Sequence, residues 1–258
     1  MILYILIILI ILYFVIPYFK KEGFEDMSNE YKTYLNEKIY NNFYTKLYDN
    51  LIHTVPYEKE VIEIVYQYFE SNPNVLITGS RTGHNVQLLS NLCEVTGLDN
   101  SREMVKISKY KYPNNLYIYG EYTDKTIFQK NKFTHIICPL FTIYRVDLDM
   151  YLDTMYEWLV HKGYLGIVTI NTDFHISQIQ NLKPSKLLTL NYDYKIELKN
   201  NMLLETLTNK QGYKRTNKLE LKDISNLEED AKITGFKLIK IFDVPNNKGL
   251  KLHLFQKK

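Results

Sequence analysis

The sequence is poor in the residues that stiffen or cross-link small proteins: it has two cysteines, one tryptophan, seven prolines and ten glycines in 258 residues. Two cysteines cannot build a disulfide framework. Cys93 and Cys138 both sit in apolar, strand-like surroundings and read as buried free thiols, which fits a reducing, cytosol-facing compartment. The histidines His53, His84, His135, His161, His175 and His253 show no metal-ligand spacing with cysteines or acids, so no metal is assigned. Blocks of one charge sign are also missing. Lys+Arg number 32 against 29 Asp+Glu, and the lysines are scattered, so nucleic acid is not implied as a partner. The 23 tyrosines occur beside many Ile, Asn and Lys, a composition typical of AT-rich coding, and their abundance alone marks no binding surface.

Residues 1–16 form an unbroken apolar run, followed by Pro17-Tyr18-Phe19 and then Lys20-Lys21. At about 1.5 Å per residue a helix over 1–19 reaches about 28 Å, close to the hydrocarbon thickness of a bilayer. No basic stretch precedes the run and no small-residue cleavage pattern follows it, which disfavours a signal peptide. No face of the run is polar, which disfavours a core helix. The expectation is a single-pass transmembrane helix over 1–19, a linker over 20–29, and one domain over 30–258 held on the cytoplasmic side by Lys20 and Lys21.

Within that domain, Tyr31, Tyr34, Leu35, Ile39, Phe43, Leu47 and Leu51 follow helical spacing, as do Val61, Ile62, Val65 and Phe69 after Pro56. Strands are predicted at 75–78, 94–99, 115–120, 133–140 and 163–170, with helices near 83–91, 101–110 and 147–160. That alternation implies a parallel sheet covered on both faces. The stretch 186–221 differs: its pattern reads as an antiparallel β excursion, with two strands meeting at Asn200-Asn201 and a third over Lys218–Leu221. Ser225-Asn-Leu-Glu228 has the form of a capping box opening a short helix that Gly235 ends. Phe236–Val244 and Leu250–Gln256, joined by Pro-Asn-Asn-Lys-Gly, read as a closing hairpin.

Val75-Leu-Ile-Thr-Gly-Ser-Arg-Thr-Gly83 is a strand running into a glycine turn, and Gly97-Leu-Asp99-Asn-Ser101 ends the next strand on an acid about 20 residues later. Gly79 and Gly83 let the backbone bend and approach a ligand, and Asp99 is placed to accept hydrogen bonds from two ribose hydroxyls. With Met104, Tyr119-Gly120-Glu121-Tyr122, Phe133–Thr142 and Trp158-Leu-Val-His-Lys-Gly163, these segments resemble the class I S-adenosylmethionine-dependent methyltransferases over roughly residue 40 to the carboxyl terminus. Two positions depart from that pattern: Ile77 stands where the family has an acid, and Arg81 where it has its middle glycine.

The resemblance implies a Rossmann-like α/β sandwich with a mostly parallel sheet that ends in the antiparallel hairpin, and S-adenosylmethionine as cofactor. It implies cofactor contacts from Thr78, Gly79, Ser80, Gly83, Asp99, Asn100, Met104, Glu121, Tyr122 and Cys138, with Asp99 at the ribose, Met104 packed on the adenine, Glu121 receiving the adenine amino group, and the segment Phe133–Thr142 lining the transferred methyl. Arg81 reads as a surface guanidinium, with contact to the cofactor carboxylate as the alternative, and His84 as an unremarkable opening of the following helix. If the acceptor needs deprotonating, the candidate bases are Tyr48 and Asp49, in a segment resembling the family's lid, and Asp173 or His175 after the fifth strand. The acceptor itself is left open between a small molecule and a lipid. A binding or scaffold protein that keeps the fold without the activity is the alternative, favoured by Ile77 and Arg81. A nicotinamide-dependent oxidoreductase would need G-x-G-x-x-G, and it lacks the closing hairpin.

Overall fold

A computed structural model describes residues 31–52, 57–170, 192–246 and 249–258. The expected membrane helix and linker, and the candidate bases Asp173 and His175, lie outside these residues. Among the described residues no helix is long and apolar enough to cross a membrane.

The centre is a seven-stranded sheet of β2 (Asn74–Thr78), β3 (Glu94–Asp99), β4 (Leu116–Tyr119), β5 (Phe133–Cys138), β6 (Leu159–Ile170), β10 (Phe236–Asp243) and β11 (Leu250–Lys257), in spatial order β10-β11-β6-β5-β2-β3-β4. The five strands from β6 to β4 are parallel, and β11 runs antiparallel to both β6 and β10. Successive residues along a strand point to opposite faces. Leu76, Ile136, Cys138 and Ile167 therefore pack beneath α5 (Leu148–Trp158) and α6 (Leu227–Thr234). Their neighbours Val75, Ile77, Ile137 and Val168 pack beneath α2 (Tyr57–Tyr66) and α3 (His84–Leu89), on the face that also takes Val105 of α4 (Arg102–Lys111). Two apolar faces explain why these strands read as continuous apolar runs rather than alternating ones. The result is a Rossmann-like α/β sandwich with a mixed sheet.

A second sheet has the order β1-β9-β8-β7, built from β1 (Tyr31–Leu35), β7 (Tyr192–Lys199), β8 (Met202–Asn209) and β9 (Lys214–Glu220). Asn200 and Asn201, at φ of 49° and 59°, make the two-residue turn between β7 and β8; a turn with both central residues left-handed matches the twist of the strands it joins. One face of this sheet, carrying Leu203, Leu207 and Leu219, packs on α1 (Asn42–Ile52) through Phe43, Tyr44 and Tyr48.

Three local expectations change. Tyr31–Leu35 is not helical but an edge strand parallel to β9. Its half-buried Lys32 and Tyr34 alternate with exposed Thr33 and Leu35, and Tyr34 lies under the Arg215 guanidinium at 4.0 Å. Strand pairing thus wins over a spacing that also satisfies a helix. β6 starts at Leu159, ahead of Gly163, and its pairing with β5 slips between Phe133 and His135. Lys162 at φ 63° and the close approach of Gly163 to the carbonyls of Thr134 and Val160 mark the irregularity. At α6 the N-cap residue is Asn226, and no side chain caps it. Ser225 instead gives its N–H and hydroxyl to Asp223 (2.9 and 3.1 Å), so the capping box does not form. Gly235 does close this helix, at φ 112°.

Candidate functional site

The carboxyl ends of β2, β3, β4 and β5 face one region, and the turn after β2 forms its floor. The N–H groups of Gly79 and Ser80 both donate to the Leu98 carbonyl (2.8 and 3.1 Å), tying this turn to β3. Gly79 has φ 73°, and a Cβ there would overlap Thr142 Oγ1; Gly83 has φ 88°, and a Cβ would meet the Tyr117 hydroxyl at 2.5 Å. Both positions are closed to a side chain by conformation and by space. Ser80 is buried in this turn with no partner for its hydroxyl.

Arg81 occupies the same turn at φ 53°. Its N–H donates to Asp99 Oδ2 (2.7 Å), while its side chain leaves in another direction. Nη1 donates to the Tyr57 hydroxyl (3.2 Å) and Nη2 to the Leu140 carbonyl. The guanidinium lies 3.9 Å from Glu58 and 5.8 Å above the Tyr48 ring. With 11% of its side chain exposed, Arg81 is not the surface guanidinium expected from the sequence. It latches the glycine turn to the loop after β5 and to α2. His84 is likewise engaged: its Nδ1–H donates to Glu58 (2.7 Å), and that bond is the main cause of a raised imidazole pKa. Ile77 packs in the apolar cluster with Val61 and Ile62, where a carboxylate would be desolvated.

Asp99 is 4% exposed. Oδ2 accepts the Arg81 N–H, and Oδ1 accepts the Ser101 N–H at 2.9 Å. Burial raises its pKa, against the lowering effect of these two N–H groups. Ser101 caps α4 by accepting the Met104 N–H (3.3 Å), and Met104 is fully buried beneath α1. Asn100 joins the neighbouring loop: its Oδ1 accepts from the Tyr122 hydroxyl (3.2 Å) and its Nδ2 donates to Glu121 (3.4 Å). Glu121 is exposed and Tyr122 is buried, with its phenol held well above the ordinary value by burial.

Asp99, Asn100, Glu121 and Tyr122 thus converge with Gly79–Gly83. Thr78 and Cys138 turn the other way. The Thr78 hydroxyl lies 2.7 Å from the Tyr151 hydroxyl of α5, and the Cys138 thiol, pushed to about 11 by burial, sits among the same groups. Their side chains belong to the α5 layer.

Of the candidate bases, Tyr48 is buried and its hydroxyl is held well above the ordinary value by burial, so it retains its proton near neutrality. Asp49 accepts from the Thr82 hydroxyl and pairs with Lys111, binding α1 to the glycine turn. Two residues not singled out in the sequence line the same region. Arg145, on the 3-10 turn Ile143–Arg145 after β5, donates from Nη1 to the Tyr40 hydroxyl (2.9 Å). An arginine within the apolar stretch Leu140–Val146 was the available signal. Among the described residues no group of His, Cys, Asp and Glu is arranged to hold a metal.

Residues 76–167 match the profile of the methyltransferase domain family. A search of curated proteins finds no match. Among solved structures, a Pyrococcus horikoshii protein superposes with a TM-score of 0.66 at 16% identity, covering 83% of this chain and 98% of its own. The CcbJ methyltransferase of Streptomyces caelestis gives 0.63 at 16% identity, covering 86% and 99%. The S-adenosylmethionine-bound CalS10, an amino pentose methyltransferase of Micromonospora echinaspora, gives 0.59 at 10% identity, covering 83% and 96%. At these identities the likeness is one of fold.

Proposed function

We propose that the chain is an S-adenosylmethionine-dependent methyltransferase. The observation that carries this reading is the Asp99 carboxylate at the end of β3, oriented by the Arg81 and Ser101 N–H groups and facing a turn that only glycine can form at Gly79 and Gly83. Each carboxylate oxygen has a second lone pair, so the two stay able to accept one ribose hydroxyl each. The family match over 76–167 and the S-adenosylmethionine bound to CalS10 support the same choice.

When bound, the cofactor supplies a methyl already activated by its sulfonium. The chain's own work is then to align and to exclude water. Asp99 fixes the ribose, Met104 and Tyr122 supply the apolar wall at the adenine, Glu121 meets its exposed edge, and the opening is covered by Tyr48 of α1 together with Tyr40, which precedes that helix. Holding two reactants in line is worth about 7–11 kcal/mol at best, enough to supply most of the acceleration without a catalytic base.

The apolar run 1–19 and Lys20-Lys21 support tethering to a membrane with this domain on the cytoplasmic side, and hence an acceptor that is a small molecule or a membrane-associated one. A second reading, a binding protein that keeps the fold, draws on the latch made by Arg81 at the position of the family's middle glycine. Titrating the full-length chain with S-adenosylmethionine and with NAD, followed by methyl transfer from isotopically labelled S-adenosylmethionine to a membrane extract, separates the readings. Binding of the first alone, with label incorporation, is expected. Binding of neither moves the assignment to the second reading.

A further inference from the structure

The Arg145 guanidinium is a largely buried charge whose direct ion-pair partner among the described residues is open to water. Only 13% of its side chain is exposed, and the one carboxylate within ion-pair distance among the described residues is Glu37, at 3.0 Å, which is itself 59% exposed. A carboxylate that open to water is screened and contributes little. Tyr40 provides a neutral acceptor at 2.9 Å and a ring 4.8 Å from the guanidinium. The third N–H, on Nε, is buried and has no partner among the described residues. A buried donor of a charged group left unpaired is costly, and structures retain one where something else completes it.

Its position says what that something is. Arg145 ends the turn after β5, three residues beyond Thr142, whose side chain abuts the glycine turn at Gly79. Its partner Tyr40 packs against Tyr48, with ring centroids 6.5 Å apart, and the Tyr48 ring lies 5.8 Å from the Arg81 guanidinium, so Arg145 stands on the side of the glycine turn that these tyrosines flank. Asp99 makes no direct ion pair with it; its two oxygens accept from the N–H groups of Arg81 and Ser101.

We propose that Arg145 recognises an anionic oxygen of the methyl acceptor, a carboxylate or a phosphate, through its unpartnered Nε–H and the edge of the guanidinium next to it. This rests on the methyltransferase reading and narrows it to acceptors that carry a negative charge near the methylated atom. A guanidinium suits such a group because it offers parallel N–H donors in a fixed plane. Glu37, open to water, then serves as the exchangeable counter-ion in the absence of acceptor.

The test titrates the full-length chain in non-ionic detergent with inorganic phosphate and, separately, acetate, at constant ionic strength against chloride, following the thermal midpoint with and without saturating S-adenosylhomocysteine. The expected result is a saturable rise with phosphate or acetate in the presence of S-adenosylhomocysteine. That rise should be lost in Arg145→Gln and weakened at least fivefold in Arg145→Lys, which keeps the charge but not the planar pair of donors. A response no larger than that to chloride, or one unchanged in Arg145→Gln, overturns the proposal. So does a response that vanishes when S-adenosylhomocysteine is present together with a tenfold loss of its affinity in Arg145→Gln, since the anion is then the cofactor's own carboxylate. Failure of wild-type protein to bind S-adenosylhomocysteine removes the methyltransferase reading, and with it an acceptor to recognise.

Discussion

The N–H of Arg81 donates to the Oδ2 of Asp99 at 2.7 Å, so the glycine turn after β2 and the acidic end of β3 are joined through the backbone of an arginine held at φ 53°. Arg81 meets Asp99 through its backbone while its guanidinium bonds Tyr57 and the Leu140 carbonyl on the other side. The side chain therefore leaves the geometry around Asp99 in place and adds a latch away from it.

Arg81→Gly separates these two roles. A left-handed backbone costs a non-glycine residue about 1–2 kcal/mol, which glycine recovers, but the variant loses charge-assisted hydrogen bonds worth about 1.5–3 kcal/mol each and leaves Glu58 without a cation at 3.9 Å. The expected outcome is a net loss of about 1–5 kcal/mol in chemical denaturation, with S-adenosylhomocysteine affinity unchanged or improved in calorimetry. A loss of affinity larger than the loss of stability would place the guanidinium in the binding site instead.

The buried Glu205 carboxylate holds α1 to the second sheet. It accepts from Tyr44 (2.6 Å), Tyr194 (2.9 Å) and Asn217 (3.2 Å). Asn217 in turn accepts from Arg215, whose Nη2 reaches the Ile39 carbonyl just ahead of α1. Removing the acceptor leaves several donors unsatisfied in a buried site, so Glu205→Ala is expected to cost about 3 kcal/mol or more. Tyr194→Phe, which takes away a single donor, is expected to cost about 1 kcal/mol. Urea unfolding of the two variants checks the ordering, and equal costs would show that the network does not act as a unit.

Protonation of His84 is linked to stability. Its folded-state pKa is raised, first by the hydrogen bond to Glu58, so the charged form is favoured in the folded protein. The contribution is fully present below the ordinary imidazole value near 6.5 and fades as pH rises through the raised value. Thermal midpoints of wild type and His84→Gln between pH 5 and 8 are expected to differ most at the acidic end and to converge toward pH 8. A difference that grows with pH would contradict the assignment.

The sheet was legible because its strands are short apolar runs punctuated by scarce glycines, and burial on both faces leaves few other readings for Val75–Thr78 or Phe133–Cys138. Gly79 and Gly83 were legible for the same reason, since their positions demand a backbone that other residues resist. What escaped depends on partners distant in sequence. Tyr31–Leu35 becomes a strand only because β9, some 180 residues later, pairs with it. Arg81 looked solvent-facing because its partners, Tyr57 and Glu58 of α2 and Leu140 of the loop after β5, come from two distant segments. Thr78 and Cys138 lie next to site residues in sequence, yet the strand alternation turns their side chains toward α5. Arg145 carried no motif, and its importance emerges only from its burial and the company it keeps.

The central claim is that Asp99 and the glycine turn bind the cofactor, and calorimetric titration of the full-length chain with S-adenosylhomocysteine tests it most directly. The account predicts saturable binding by wild type and at least a tenfold loss in Asp99→Ala, equivalent to about 1.4 kcal/mol or more, with the variant's circular dichroism spectrum unchanged. The absence of a response from wild type at millimolar ligand, or equal affinity in the folded variant, would contradict it.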